Sequence, residues 1–530
     1  MGLKRYIASM DTTITNAFKM DLSTRGTGSN MGASDILEVF SIYAQQSGST
    51  GLSPELSRIL LKFPTADMGT DRTAGIIPGS GSVKFYLRMF NAEHGETLPR
   101  NFTLTASAAR QDWEEGTGLD MVEYTDQTYQ GEGANWVYAS NGTAWGRQGG
   151  TYYHVDKWAS FQQTFASGTG DLEIDITTLV EQWVNSAGNV LGSKSNYGIG
   201  VQLTGTQEAY YSYGDSADTD KGTLKNLSGS TKSYYTKKFF SRTSEFFFKR
   251  PCIEARWDSA DRDDRGNFYY SSSLAPGEDN LNTLFLYNYV RGRLRDIPVL
   301  ARTGTVYVSL WSGSAADTST GGSYLQLAVG GGVKAALDTF ATGGWYETGI
   351  YTASLAITAA VNPIETLYDV WSTGSYADKL LTQFHTGTIS PVSLSASNYN
   401  PDTRHVVSVS NLRTTYSNKE KARFRLFVRP KNWNPTIYSR AVSTPENTLI
   451  DSASYKIFRL VDNYEVVSYG TGSATLYHTH LSHDVSGNYF DFDMSMLESD
   501  FSYGIKLAFY NGAIGTWVEQ PYTFKFRVEE

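Results

Sequence analysis

Apolar and polar residues alternate with a period of two along much of the chain. Val83-Lys84-Phe85-Tyr86-Leu87-Arg88-Met89-Phe90 and Phe102-Thr103-Leu104-Thr105-Ala106-Ser107-Ala108 each put one face in and one face out, the pattern of half-buried antiparallel strands. Leu172 to Ile176 alternates in the same way, and Ile36 to Tyr43 and Ser57 to Phe63 are apolar runs of strand length, the second stopped by Pro64. Beyond residue 260 the strands recur at Asn282–Val290, Gly304–Trp311, Gly349–Ile357, Leu367–Trp371, Val407–Leu412, Ala422–Pro430, Tyr455–Leu460 and Tyr503–Tyr510. The one helical pattern singled out is Thr177 to Val184. Thr177 or Thr178 is expected to cap it, a glutamate follows, and Leu179, Trp183 and Val184 share one side.

A charged, turn-rich stretch, Ser259 to Asn267, has few apolar anchors and reads as a domain boundary. A length of 530 residues is too great for a single core at about 150 residues per domain. The expected organisation is all-β: an N-terminal jelly-roll β-sandwich over residues 1–258, then two immunoglobulin-like β-sandwiches over 259–400 and 401–530. Leu367-Tyr368-Asp369-Val370-Trp371 and a Gly/Ser-rich approach to Pro391 close the middle unit. Gly349-Ile350-Tyr351 stands where an immunoglobulin-like sandwich has its Gly-x-Tyr strand. No repeat is sharp enough for a solenoid or propeller.

Composition agrees with strands and tight turns: 35 tyrosines, 26 phenylalanines and 50 glycines. The net charge of −9 lacks the clustered basic stripe of a duplex-binding surface, so no nucleic-acid partner is expected. Lys237-Lys238 and the Arg291, Arg293, Arg295 alternation read as solvated strand faces. Cys252 is the sole cysteine, so no intrachain disulfide forms, and with seven scattered histidines no zinc spacing arises. The start shows no signal-peptide pattern, Gly2 lacks the myristoylation context, and no apolar run is long enough for a membrane span. Synthesis in a cytosol is the expectation.

The candidate chemistry is thin. Adjacent Glu114 and Glu115 on a strand would point to opposite faces, so they cannot flank one glycosidic bond. Asp258, Asp261, Asp263 and Asp264 lack the order of a calcium loop and read as a solvated linker. Trp113, Trp136, Trp145, Trp158 and Trp183 either fill a sandwich core or offer platforms for sugar rings. Gly198-Ile199-Gly200 precedes a strand and is no dinucleotide fingerprint, and Gly330-Gly331-Gly332 reads as a turn. No catalytic residue, metal or cofactor is assigned.

Several motifs of the first 258 residues occur in a recognisable order: Thr13-Ile14, Asn30-Met31-Gly32, Leu37-Glu38-Val39, Arg58 to Phe63, Trp113-Glu114-Glu115-Gly116, Trp136 and Trp145 with Gly149-Gly150, Asp175 to Trp183, Asn196-Tyr197-Gly198-Ile199, and Phe240-Ser241-Arg242 with Arg250-Pro251. In this order they resemble the DNRLRE domain, a carbohydrate-binding-module-like sandwich, and the resemblance implies a jelly-roll fold. The remaining half, with strings such as Phe268 to Ser273 and Tyr287 to Arg293, is similar in style to structural virion proteins of tailed marine bacteriophages, cyanophages included. Together these imply a non-enzymatic virion protein, made in the host cytoplasm and present in several copies. Its partners would be neck, tail, fibre or capsid proteins, and no membrane. A capsid-decorating protein and an adhesin that binds a host-surface glycan are the alternatives.

Overall fold

The computed structural model describes residues 2–48, 51–119, 132–153, 160–185, 194–213, 223–271, 280–312, 324–328, 337–357, 364–375, 378–392, 404–432, 447–472 and 476–530. The chain is all-β, built from mainly antiparallel sheets, with two α-helices among the described residues. It divides into two compact units. The first comprises Gly2–Asp258 with Gly472–His478, and the second Ser259–Thr471 with Thr479–Glu530.

In the first unit a four-stranded sheet has the order Leu3–Ile7, Cys252–Arg256, Lys84–Met89, Leu172–Asp175. Leu3 pairs with Arg256, so the earliest and latest strands of this stretch lie side by side. The second sheet runs Tyr234–Phe240, Ile36–Gly48, Gly51–Lys62, Ile199–Leu203, Phe102–Ala108, Ser160–Phe165, with Met10–Thr15 also paired to Gly51–Lys62. The inward faces share one core. Phe85, Leu87, Met89, Leu172, Ile174 and Ile253 come from the first sheet, and Leu37, Val39, Ile59, Leu61, Leu104 and Val201 from the second. Lys84–Met89 alternates half-buried and buried residues as the sequence requires.

Two helices close one side of this core. Helix α1, Thr65–Thr73, was not legible in the sequence, and Met68 is its one buried residue. Helix α2, Thr177–Val184, falls where the sequence placed it, but no side chain caps it. Thr177 is its first helical residue; its Oγ1 accepts from Phe85 N (2.9 Å) and donates to Asp175 Oδ1 (2.5 Å). The buried residues are Leu179, Val180, Glu181 and Gln182, with Trp183 only half-buried. Glu181 is buried because Arg72 of α1 grips it with two bonds of 2.8 and 2.7 Å, the fork geometry that suits arginine to carboxylate.

The second unit holds two sheet systems. One is an eight-stranded sheet ordered Leu337–Asp338, Leu327–Ala328, Ile350–Ile357, Ala341–Glu347, Val306–Trp311, Leu367–Ser375, Asp378–Ile389, with Asn282–Tyr287 also on Ile350–Ile357. Leu284, Val306, Val308, Leu310, Tyr351, Leu355 and Trp371 share its core. Tyr351 is fully buried. Its hydroxyl accepts from Ile297 N (2.9 Å) and donates to Ala301 O (3.0 Å), pinning the loop before the strand Val306–Trp311. From residue 405 on there is a four-stranded sheet and a six-stranded one. Between them lies an aromatic stack in which Tyr455 meets Phe490 at 4.1 Å and Phe490 meets Phe424 at 5.0 Å between ring centroids. Thr415–Ser417 pairs parallel with the strand Phe524–Glu529. Tyr503 donates to Glu498 O (2.7 Å), a tyrosine whose hydroxyl returns to the backbone a few residues upstream, as in the corners of antiparallel sandwiches.

Candidate docking interface

Sugar platforms need exposed rings. Trp113, Trp136 and Trp145 are 3, 0 and 5 % exposed. They form a second core of the first unit with Ile14, Leu56, Leu60, Tyr152 and Leu224. Trp113 Nε1 donates to Tyr197 O and Trp145 Nε1 to Asn135 O, each at 2.8 Å. Around Trp136 the chain is built to fit. Gly149 has a φ of +77°, and a Cβ there would lie 2.8 Å from the indole, so only glycine serves. Arg58 lies over the same ring at 5.3 Å, gives Glu208 two bonds of 2.9 and 2.8 Å, and donates to Gly149 O at 2.8 Å. Trp113, Trp136 and Trp145 are therefore architecture, whereas Trp183 is half-buried against the other core of this unit. Trp158 and Gly330 to Gly332 lie outside the described residues.

Glu114 and Glu115 diverge as expected, although the segment is irregular rather than a strand. Glu115 takes two bonds from Arg242, at 2.6 and 2.5 Å, and accepts from Asp11 N at 2.8 Å; Glu114 faces Asn141 N. Beside that pair Asp11 is almost wholly buried. Its Oδ2 accepts from Arg242 N, while its Oδ1 has no hydrogen-bond partner. Burial first, and the Glu115 charge after it, push its carboxyl up to about 7.

Two expectations of solvated charge are corrected. Lys237 is 1 % exposed. Its ammonium donates to Asn91 Oδ1 and, at 2.8 Å each, to Gly168 O and Gly170 O, so a three-donor group meets three acceptors. Desolvation lowers it to about 8. The Asp261–Asp264 stretch is likewise built into the second unit. Asp261 accepts from Tyr346, Asp263 caps a short 3-10 turn through Arg265 N, and Asp264 bonds His483 Nε2 (3.1 Å) and Thr283 N (2.7 Å). Arg291, Arg293 and Arg295 are exposed, as read from the sequence. Gly198-Ile199-Gly200 does open the strand Ile199–Leu203. Cys252 is buried, and burial pushes its thiol up to about 12. Among the described residues no group of three His, Cys, Asp or Glu could hold a metal ion.

One sheet of the second unit ends in a long edge strand. Asp378–Ile389 is twelve residues long and terminates the eight-stranded sheet; among the described residues it pairs only with Leu367–Ser375. In the sequence it lies within the Gly/Ser-rich approach to Pro391, where no strand is expected. Its β-branched and aromatic run, Leu380 to Ile389, was the signal available. A register shift leaves Phe384 unmatched between Gln383 and His385, and Phe384 packs on the core. On either side Leu381 (70 %), Thr382, His385, Thr386 and Thr388 are exposed. A long edge with unpaired backbone groups and an exposed leucine is a template for pairing with another strand, and natural proteins usually blunt or cover it.

No protein-family profile and no curated protein matches the chain.

Proposed function

We propose that this chain is a non-enzymatic structural protein of a bacteriophage particle, docked on the neck, tail or fibre apparatus through its β-sandwich domains. The observation that carries the reading is the strand Asp378–Ile389, whose outer edge no strand covers among the described residues. An edge of this length is useful where a neighbour supplies the next strand, with main-chain bonds giving affinity and alternate side chains giving specificity. The buried tryptophans and the bonded charges of the first unit support a scaffold built for rigidity. The resemblance of the first 258 residues to a jelly-roll sandwich, and the Tyr503 corner in the last sheets, support the finer assignment of jelly-roll and immunoglobulin-like arrangements.

The test is incorporation. Purified particles of the virus encoding the chain should contain it by mass spectrometry. A chain carrying Leu381→Lys and Thr386→Lys should fold normally, since exposed substitutions shift stability by less than about 0.5 kcal/mol, yet be depleted from particles because lysines disfavour edge pairing. Absence of the wild-type chain from particles, or undiminished incorporation of the double variant, overturns the reading.

A further inference from the structure

The first unit carries a cleft of about 700 Å³ between the turns Glu96–Arg100 and Ser167–Thr169 and the residues Lys232–Tyr235. Its floor is fixed in advance. Lys237 holds the Gly168 and Gly170 carbonyls from below. Gly168 packs so closely that a Cβ would stand 2.8 Å from Leu98 Cβ and 3.1 Å from Pro99 Cδ. A ligand entering this cleft would not have to order these walls, which lowers the cost of binding.

The charges in the cleft are unequal. Glu96 is engaged by Lys238 (3.2 Å), which also holds Glu38 (2.9 Å). Arg100 and Lys232 are exposed and have no carboxylate partner among the described residues. The cleft therefore offers two cations without a carboxylate, Lys232 resting over the Tyr234 ring at 5.7 Å from its centroid, beside an exposed tyrosine, Tyr235 (46 %).

One wall is also a strand end. Tyr234–Phe240 terminates its sheet. Its later part is closed by bonds from Ala92 N to Lys238 O and from Phe240 N to Phe90 O, each 3.1 Å. Ser233, Tyr234 and Tyr235, by contrast, line the cleft. Among the described residues no backbone bond closes the outer side of Tyr234 and Tyr235, and such a sheet edge beside two cations matches an extended polypeptide with acidic side chains: its backbone can pair with the edge and its carboxylates can reach Arg100 and Lys232. A saccharide would use the hydroxyls and the tyrosine but leave the edge unanswered.

We infer that this cleft is a docking site for an extended acidic peptide segment of a neighbouring protein. The proposal rests on the docking reading for the source of that segment, but the site itself is tested on the isolated full chain. The probe is a fluorescein-labelled peptide of alternating glutamate and valine, followed by anisotropy. It should bind at submillimolar concentration and weaken with salt. The lysine–valine counterpart should not bind. N-methylation of alternate amides should abolish binding, which a purely electrostatic contact would survive. Arg100→Gln with Lys232→Gln, both exposed and so compatible with folding, should weaken binding by at least about tenfold, the scale of losing charge contacts at an interface. The inference is overturned if the acidic peptide fails to bind, if the double variant binds it equally, if N-methylation has no effect, or if hexagalacturonate binds better than the peptide. Any of these leaves the incorporation experiment untouched, and failure of incorporation leaves peptide binding to be read on its own.

Discussion

Replacing Trp136 by alanine separates a core indole from a ligand platform more cleanly than any other change. The side chain is fully buried, against Gly149 and beneath Arg58. A tryptophan of this kind hides up to about 250 Å², which at about 25 cal/mol per Å² is about 6 kcal/mol. Compactness of the unfolded chain removes about 10–40 % of that, leaving about 4–5 kcal/mol, in line with the about 3–5 kcal/mol typical of aromatic-to-alanine changes in cores. Arg58 keeps Glu208 and Gly149 O, so its charge stays paired and adds little to the loss. For a unit of this size each kcal/mol moves the melting transition by about 2–4 °C, so the transition of the first unit should fall by about 8–20 °C in scanning calorimetry. A Trp136→Ala protein that melts with the wild type would refute the core assignment. Such a protein, if it also lost a glycan ligand on an array, would restore the platform.

Two further perturbations probe buried polar groups. Asp11→Asn tests the raised carboxyl. With a folded pKa of about 7 against about 3.9 unfolded, the folded state holds the extra proton between those values. Stability from this group is thus fully present at acid pH, declines as pH rises from about 4 to about 7, and stays low above that. The asparagine variant should be more stable than wild type at pH 8 and nearly equal to it at pH 4 in urea titrations; a gain independent of pH contradicts the assignment. Tyr351→Phe removes one hydroxyl that serves both Ile297 N and Ala301 O. Stranding those groups should cost about 1–3 kcal/mol and speed amide exchange at Ile297, and unchanged exchange there would show that the loop is held by other contacts.

The all-β class was legible because period-two alternation is a local signal: Lys84–Met89 buries each second residue as written. Other features depend on partners far along the chain. Lys237 looks solvated next to Lys238, and only Asn91, Gly168 and Gly170, brought in by the sheets, turn it into a buried strut. The same holds for Asp261 to Asp264, whose neighbours include His483 and Tyr346. Helix α1 escaped notice because one methionine is its whole apolar face. The tryptophans were ambiguous for a different reason: a ring beside a glycine turn reads alike as platform or wedge until its exposure is known. Strand Asp378–Ile389 was obscured by its glycine and by a bulge that breaks the alternation at Phe384.

The seven residues Gly472–His478 belong to the first unit although the rest of that unit ends at Asp258. His478 lies against Gly2, whose missing Cβ would stand 2.9 Å from the His478 Cα, and it is near Arg256 and Glu254. During synthesis this piece arrives more than two hundred residues after its partners. At about 5–20 residues per second the wait is about 10–40 s. Through that interval residues 2–258 are without this segment, and a chain cut after Asp258 never acquires it. Completion of the N-terminal unit thereby becomes a late event in the life of the polypeptide, reached only once most of the second unit has left the ribosome.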